Sequence, residues 1–254
     1  MTRSQVLLVE DDASIVRFVT AALEELPIEL VACQSTEDAW RLLNALPVAL
    51  VISDLMLPGG SGLDLLHRMR RSSMPALQVI PVIVVSAGLN ADVLRELESA
   101  GVFRALLKPV SVATLEACVN EALGGAPRTE SPPAAPGPMD ERVTHAEQHA
   151  IATYFAGDQA LFGAYKASCL AQFATDAEMG DAAVLNGDAH ALRRVAHNLK
   201  SVLLTLGYPE DSELARGLEH SAANQALAAA TTAWGPLRER LLILMHSTNV
   251  AGPV

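Results

Sequence analysis

Short apolar runs alternate with amphipathic segments along the first half of the chain. The apolar runs predict strands that are buried on both faces, at residues 6–9, 28–32, 49–53, 79–85 and 105–107. The segments that follow them have apolar residues at helical spacing, at 13–26, 36–46, 63–71, 91–100 and 111–123. This alternation predicts an α/β domain over 1–124. We expect a doubly wound, five-stranded parallel sheet with its functional site at the carboxyl ends of the strands.

The second half of the chain has the spacing of helices and no strand pattern. Helical segments follow one another at 141–155, 159–185, 189–205, 210–223 and 225–246, with cap or turn residues between them. One shorter helix and four long ones predict an all-α, antiparallel four-helix bundle over 140–250. Residues 125–139 are rich in proline, glycine and alanine, and we predict an extended, mobile linker there.

Composition and charge narrow the class of protein further. The chain has 254 residues and is 50% hydrophobic, which is enough for two modest cores. Its net charge of -11 argues against a nucleic-acid partner and suits a protein that binds a divalent cation and other proteins. Cys33, Cys118 and Cys169 form no CxxC motif, so we expect a reducing cytoplasm and neither disulfides nor zinc. We find no signal peptide and no run long enough for membrane insertion.

Polar residues fall at or just past the ends of the predicted strands. Phosphoryl transfer to a carboxylate needs a nucleophilic aspartate, a divalent cation, a fixed positive charge and a hydroxyl. Asp54 is the candidate nucleophile, Lys108 the fixed charge and Ser86 the hydroxyl. Glu10 and Asp11 end the neighbouring first strand. Three carboxylates in one cleft repel one another unless a hard cation lies among them, and Mg²⁺ (or Mn²⁺) is the natural choice.

Four short motifs carry these residues: LLVEDD at 7–12, SDLMLPGGSG at 53–62, VSAG at 85–88 and LLKPV at 106–110. By these motifs residues 4–123 resemble a response-regulator receiver domain of the bacterial two-component type, which has a flavodoxin-like fold. The resemblance implies that Asp54 is the phosphoacceptor and that Asp11 and Asp54 bind magnesium directly. It also implies that the backbone carbonyl of Met56 is a third ligand and that Glu10 acts through water.

Three neighbouring positions add detail. We expect Asp12 to lie at the start of the first helix, where its charge suits the helix dipole. We expect a cis peptide before Pro109 that aims Lys108, although trans is the usual form. Ala105 departs from the receiver family, which usually has an aromatic residue three positions before the lysine. Phosphorylation chemistry does not need that aromatic switch, and neither does a domain that only passes a phosphoryl group on.

His197 is the candidate phosphoacceptor of the second half. Lys200 and Ser201 follow it at spacings that place all three on one helix face, and Arg193 and Arg194 add positive potential one turn before. We expect an exposed imidazole that attacks an aspartyl phosphate. We see no carboxylate placed to act as a base, so rapid hydrolysis is not expected.

The stretch from Asp188 to Gly207 resembles a histidine phosphotransfer (HPt) domain, and the resemblance extends over about 145–246. It rests on the run HNLKS at 197–201, on Gly207, on Gly187-Asp188 and on Leu214 and Leu218-Glu219 in the next helix. The resemblance implies that His197 carries a phosphoryl group beside Lys200. Tyr208 departs from the small residue that usually follows the glycine.

Simpler interpretations stand beside these. The acids around Asp54 also fit a flavodoxin-like fold with accidental carboxylates, and His197 also fits a solvated histidine of a bundle. His145 and His149 have the i, i+4 spacing of a metal-binding pair, but a solvated helix face explains them better.

The leading hypothesis is a cytoplasmic phosphorelay protein. A histidine kinase would phosphorylate Asp54, and His197 would pass the group to a downstream response regulator, within the chain or between chains. We find no nucleotide-binding loop and no basic helix-turn-helix, so we expect neither a kinase nor a DNA-binding protein. The alternative is a regulatory binding module, in which phosphorylation of Asp54 controls docking of the bundle on a kinase or a receiver. A phosphatase is disfavoured because Met56 stands where a second acid is needed.

Overall fold

The computed structural model describes residues 3–125, 144–224 and 226–247. The chain divides into two compact units, Met1–Ala134 and Ala135–Val254. Apart from Gly125, the predicted linker at 125–139 lies outside the described residues.

The first unit contains one main sheet and one short pair of strands. The strands are β1 (Ser4–Val9), β2 (Ile28–Cys33), β3 (Val48–Ser53), β4 (Met56–Leu57), β5 (Gly60–Ser61), β6 (Val82–Ser86) and β7 (Arg104–Leu107). The main sheet is parallel and has the order β2-β1-β3-β6-β7, while β4 and β5 form an antiparallel pair. This is the flavodoxin-like order, so the predicted fold class is confirmed.

Helices connect the strands and cover both faces of the sheet. They are α1 (Ala13–Ala22), α2 (Thr36–Ala45), α3 (Gly62–Arg70), α4 (Pro75–Val79), α5 (Ala91–Ser99) and α6 (Val112–Ala122). The central strands β1, β3 and β6 are nearly continuous apolar runs because both of their faces are covered. Leu7, Val51 and Val84 of the three central strands are fully buried, and Leu66 and Met69 of α3 pack into the same core.

One strand begins three residues later in the structure than the sequence predicts. The apolar run at 79–85 was expected to be extended, but α4 ends at Val79 and β6 begins only at Val82. Pro75 begins this short helix, and Leu77 and Ile80 become its buried contacts. Val79 points outward and is 78% exposed. Burial of Leu77 and Ile80 therefore decides the local structure, although the run itself reads equally well as a strand.

The second unit is a helical bundle preceded by a shorter helix. Its helices are α7 (His145–Tyr154), α8 (Gln159–Asn186), α9 (Ala189–Thr205), α10 (Pro209–Ala223) and α11 (Leu227–Ser247). In the bundle α9 packs against α8 and α10, and α11 closes the ring against α10 and α8. The four long helices thus form the predicted bundle, with α7 packed against α9.

Local sequence explains where these helices begin, end and approach one another. Gly187 ends α8 with a left-handed backbone (φ 64), and the side chain of Asp188 caps α9. Gly180 lets α8 approach α11 closely, because a Cβ atom there would lie 2.1 Å from the ring of Trp234. None of the helices in the described ranges combines the length and apolar character needed to cross a membrane.

Candidate functional site

Asp54 lies directly after β3 and forms the centre of a buried polar cluster. Its side chain is fully buried, and its Oδ2 accepts a hydrogen bond from Lys108 Nζ at 2.6 Å. The same ammonium donates to Glu10 Oε2 at 2.7 Å. Asp54 Oδ1 accepts from the backbone N–H of Met56 at 3.1 Å. The ends of β1, β3 and β7 therefore bring their predicted residues into direct contact.

The loop after Asp54 explains why the motif contains glycine at 62. A Cβ atom on Gly62 would lie 2.1 Å from the backbone oxygen of Asp54, so only glycine fits at this close approach. Ser53 donates from its hydroxyl to the same backbone oxygen at 2.9 Å. The backbone of Asp54 is thus held from two sides, which fixes the direction of its carboxylate.

The three acidic residues that follow β1 have different roles. Asp12 caps α1 by accepting from Ser14 N and Ile15 N, as expected. Burial raises the pKa of Glu10 to about 8, because its effect outweighs the opposing effect of Lys108 and the charge of Asp54 adds to the rise. Burial also raises the pKa of Asp11 to about 6, again with a contribution from Asp54. The cluster therefore holds more negative charge than Lys108 alone can balance.

A hard divalent cation fits this excess of charge. Asp11 Oδ1 is buried and accepts no hydrogen bond, so this carboxylate oxygen is available to bind a metal ion. In the part of the chain that the structure describes, no three His, Cys, Asp or Glu side chains are grouped as a metal centre. An ion here would therefore take two carboxylates and complete its shell with backbone oxygen and water.

Ser86 ends β6, and Lys108 directly follows the neighbouring strand β7 at the same edge of the sheet. Ser86 is buried, and its hydroxyl oxygen accepts from Gly88 N at 3.3 Å. Lys108 N donates to Ser86 O at 2.9 Å, and the Lys108–Pro109 peptide bond is cis, as predicted. Ala105 is half-buried against the core, so this position holds no aromatic ring that swings inward.

His197 lies on the face of α9 that packs against α10. Its Nδ1 is 2.7 Å from Glu219 Oε1, and the other oxygen of Glu219 accepts from Lys200 Nζ at 2.5 Å. Burial raises the pKa of Glu219, but the hydrogen bonds from His197 and Lys200 outweigh burial and lower this pKa to about 2. Glu219 is therefore ionised at neutral pH and only accepts. In the neutral imidazole the proton must sit on Nδ1, which leaves the lone pair on Nε2.

Two expectations about His197 were wrong. We expected no carboxylate beside the ring, and Glu219 is bonded to it. We expected an exposed imidazole, and His197 is 2% exposed, because it faces α10 and not solvent. His197 and Glu219 lie equally far before and after Tyr208 in the sequence. In an antiparallel helix pair, that symmetry is the sequence signal that could have indicated their contact.

Ser201 is 5% exposed on the same face, and its hydroxyl oxygen has no hydrogen-bond partner. His145 and His149 are both exposed, in agreement with a solvated helix face.

Tyr208 has a clear structural role, although it departs from the expected small residue. Its hydroxyl donates to Glu147 Oε1 at 3.2 Å, and Lys166 donates to the same oxygen at 2.6 Å. Gly207 has φ 86 and lies against α7, because a Cβ there would come within 2.8 Å of the oxygen of Ala146. The loop before α10 thus fastens α7 to the bundle.

Comparison with known protein families agrees with this geometry. The response regulator receiver domain family matches residues 6–120, and the Hpt domain family matches residues 165–246. The chain therefore contains a receiver domain followed by an Hpt domain.

Similar curated proteins match mainly the first half of the chain. Response regulator protein PilR of Pseudomonas aeruginosa is 29% identical over 143 residues, covering 56% of this chain and 30% of that protein. Sensory/regulatory protein RpfC of Xanthomonas campestris is 35% identical, covering 44% of this chain and 16% of that protein. The phosphate regulon regulatory protein PhoB of Escherichia coli is 34% identical, covering 46% of this chain and 50% of that protein. The chain thus spans half or less of the length of each of these relatives.

Solved structures of receiver domains also align with this half. The response regulator receiver protein from Pseudomonas putida is 30% identical, with a TM-score of 0.45 over 48% of this chain and 98% of that one. The receiver domain of a Luxo repressor protein from Vibrio parahaemolyticus is 28% identical, with a TM-score of 0.45 over 48% of this chain and 91% of that one.

Proposed function

We propose that this chain is a cytoplasmic two-component phosphorelay protein. In this proposal Asp54 receives a phosphoryl group from a histidine kinase, and His197 carries a phosphoryl group toward the receiver of a downstream response regulator. Transfer between the two sites takes place within one chain or between chains. The chain supplies phosphotransfer chemistry and no kinase activity of its own. Its three cysteines are free thiols, which supports a reducing compartment.

In the first step an oxygen of Asp54 attacks the phosphorus of a phosphohistidine on the kinase. An O–P bond forms, the N–P bond breaks, and the electron pair returns to the imidazole nitrogen of the kinase. Lys108 and the hydroxyl of Ser86 hold the phosphoryl oxygens. Bound Mg²⁺ (or Mn²⁺) would neutralise charge on those oxygens, and Asp11, Asp54 and the Met56 carbonyl would hold it.

In the second step Nε2 of His197 attacks the phosphorus of an aspartyl phosphate. An N–P bond forms, the acyl O–P bond breaks, and the electron pair leaves with the aspartate oxygen. The ring then gains positive charge, which Glu219 stabilises because its carboxylate holds the proton on Nδ1 throughout. The observation that supports this step most strongly is the Glu219–His197 bond, since it leaves Nε2 as the nucleophile.

A second function is supported by one observation. His197 is almost fully buried, and an attacking nitrogen must be reached by its partner. A regulatory binding module needs no such access: phosphorylation of Asp54 would control docking of the bundle, and His197 would serve only as a packing residue. Under the relay proposal, the atoms that cover Nε2 must move before transfer.

Labelling the purified chain with radioactive acetyl phosphate and magnesium distinguishes the two functions. Aspartyl phosphate is lost in alkali, whereas phosphohistidine survives alkali and is lost in acid. The relay predicts alkali-stable label that disappears in Asp54→Asn and also in His197→Gln. Label that is confined to Asp54 and unaffected by His197→Gln would contradict the relay and favour the binding module.

A further inference from the structure

Three polar atoms along one face of α9 are buried without a hydrogen-bond partner. They are Nε of Arg193, Nε2 of His197 and Oγ of Ser201. The three residues are spaced by four, so their side chains follow one another along that face. Buried polar atoms are nearly always paired, so three consecutive exceptions around one histidine need an explanation. Arg193 and Ser201 each offer a hydrogen-bond donor, one on either side of the nucleophilic Nε2, and such donors could stabilise the oxygens of a phosphoryl group carried there.

The two cations nearest the histidine differ in what they contact. Lys200 is bonded to the carboxylate of Glu219, so much of its charge is already balanced there. Arg193 forms no ion pair within the described ranges of the chain. The guanidinium N–H groups of Arg193 are therefore more available than the ammonium of Lys200 to donate hydrogen bonds to a phosphoryl group.

Arg193 also has room to move. It lines a cavity of about 350 Å³ at the end of the bundle, together with His190 and Asp188. The carboxylate of Asp188 is engaged as the cap of α9 and forms no ion pair with Arg193. Because its buried Nε has no hydrogen-bond partner and it lines open space, Arg193 breaks no described ion pair if it turns toward the histidine.

The direction of side chains on a helix places the Ser201 hydroxyl next to Nε2, whereas Arg193 leans toward the cavity at the start of α9 and must turn back to reach the ring. Side chains lean toward the N-terminus of their helix, so the ring of His197 leans toward Arg193 and the hydroxyl of Ser201 leans toward the ring. We propose that Arg193 and Ser201 donate hydrogen bonds to the phosphoryl oxygens of phosphorylated His197, in place of Lys200. This inference rests on the proposed role of His197 as a phosphoacceptor.

The test measures the pKa of the phosphoryl group itself. The chain with Asp54→Asn is phosphorylated on His197 by a His197→Gln chain that carries an aspartyl phosphate on Asp54, and the ³¹P signal is titrated by NMR. Arg193→Met should raise the phosphoryl pKa by roughly one unit, because a nearby positive charge favours the dianion. Ser201→Ala should raise it by less. Arg194→Met is the matched control, and it should leave the phosphoryl pKa unchanged.

Two further variants keep the result interpretable. Arg193→Lys retains the charge and should preserve part of the lowered phosphoryl pKa, whether or not Arg193→Met folds well. An unchanged phosphoryl pKa in Arg193→Met, or a rise that is seen only in Lys200→Met, would overturn the inference and leave the relay standing. If the parent Asp54→Asn chain gives no phosphohistidine signal at all, the proposed function fails and this inference falls with it.

Discussion

Replacing Glu219 by glutamine removes the carboxylate that joins His197 to Lys200 while keeping nearly the same shape. The pKa of Glu219 falls from its ordinary 4.5 to about 2, and each unit corresponds to about 1.4 kcal/mol. The ionised form is therefore stabilised by about 3 kcal/mol in the folded bundle. The side chain is only 15% exposed, so solvent screening reduces this little. Glutamine still accepts from Nδ1, and we expect a loss of about 2 kcal/mol at pH 7.

The dependence on pH follows from the sign of the shift. A depressed pKa gives stability that is complete above about pH 4.5 and is lost as the pH falls toward 2. The gap between wild type and Glu219→Gln should therefore close over that window. Urea unfolding of the bundle can be followed by Trp234 fluorescence in a Trp40→Phe background, since the chain has two tryptophans.

Glu213→Gln is the matched control on the same helix. Glu213 pairs with Arg216 at the surface, where both side chains are more than half exposed, so its loss should change stability by less than about 0.5 kcal/mol. Equal effects of the two substitutions at pH 7 would refute the reasoning. A gap for Glu219→Gln that stays the same at pH 3 would refute it as well.

Three other predictions concern the cation, the packing and the loop. Asp11→Asn removes a carboxylate of raised pKa, so the receiver should melt higher without magnesium and lose most of the rise in melting temperature that magnesium gives wild type. In α8, Gly180→Ala should cost about 1–3 kcal/mol against Trp234, while Gly163→Ala, with open space around it, should stabilise by about 0.5–1 kcal/mol; urea unfolding measures both, and equal effects would contradict the packing. Tyr208→Phe should destabilise the bundle by about 1 kcal/mol in the same assay, and no loss would mean that its bond to α7 is unimportant.

Local sequence predicts the receiver site well because strand ends and loops position it. Asp54 and Lys108 each follow a short apolar run that forms a strand, and parallel strands bring such ends to one edge. The structure of the segment around Val79 is harder to predict, because a five-residue helix is too short to show the helical period of apolar residues. Its apolar residues are compatible with either structure until the core selects one.

The environment of His197 depends on how two helices are rotated against each other. Spacing along α9 correctly groups His197 with Lys200 and Ser201, because that grouping is local. The contact with Glu219 and the burial of the ring depend on the register of α9 against α10, which core packing sets. The spacing of apolar residues within either helix alone does not predict that register.

The most direct test of the relay separates donor and acceptor into two chains. The 254-residue chain with His197→Gln is labelled on Asp54 with radioactive acetyl phosphate and magnesium, freed of excess reagent and mixed with unlabelled Asp54→Asn. A linker only raises the effective concentration of the two sites, so transfer should also proceed between chains at sufficient concentration. The account predicts alkali-stable label on the Asp54→Asn chain, carried by His197. Label that decays on the donor without ever reaching His197 would contradict the account.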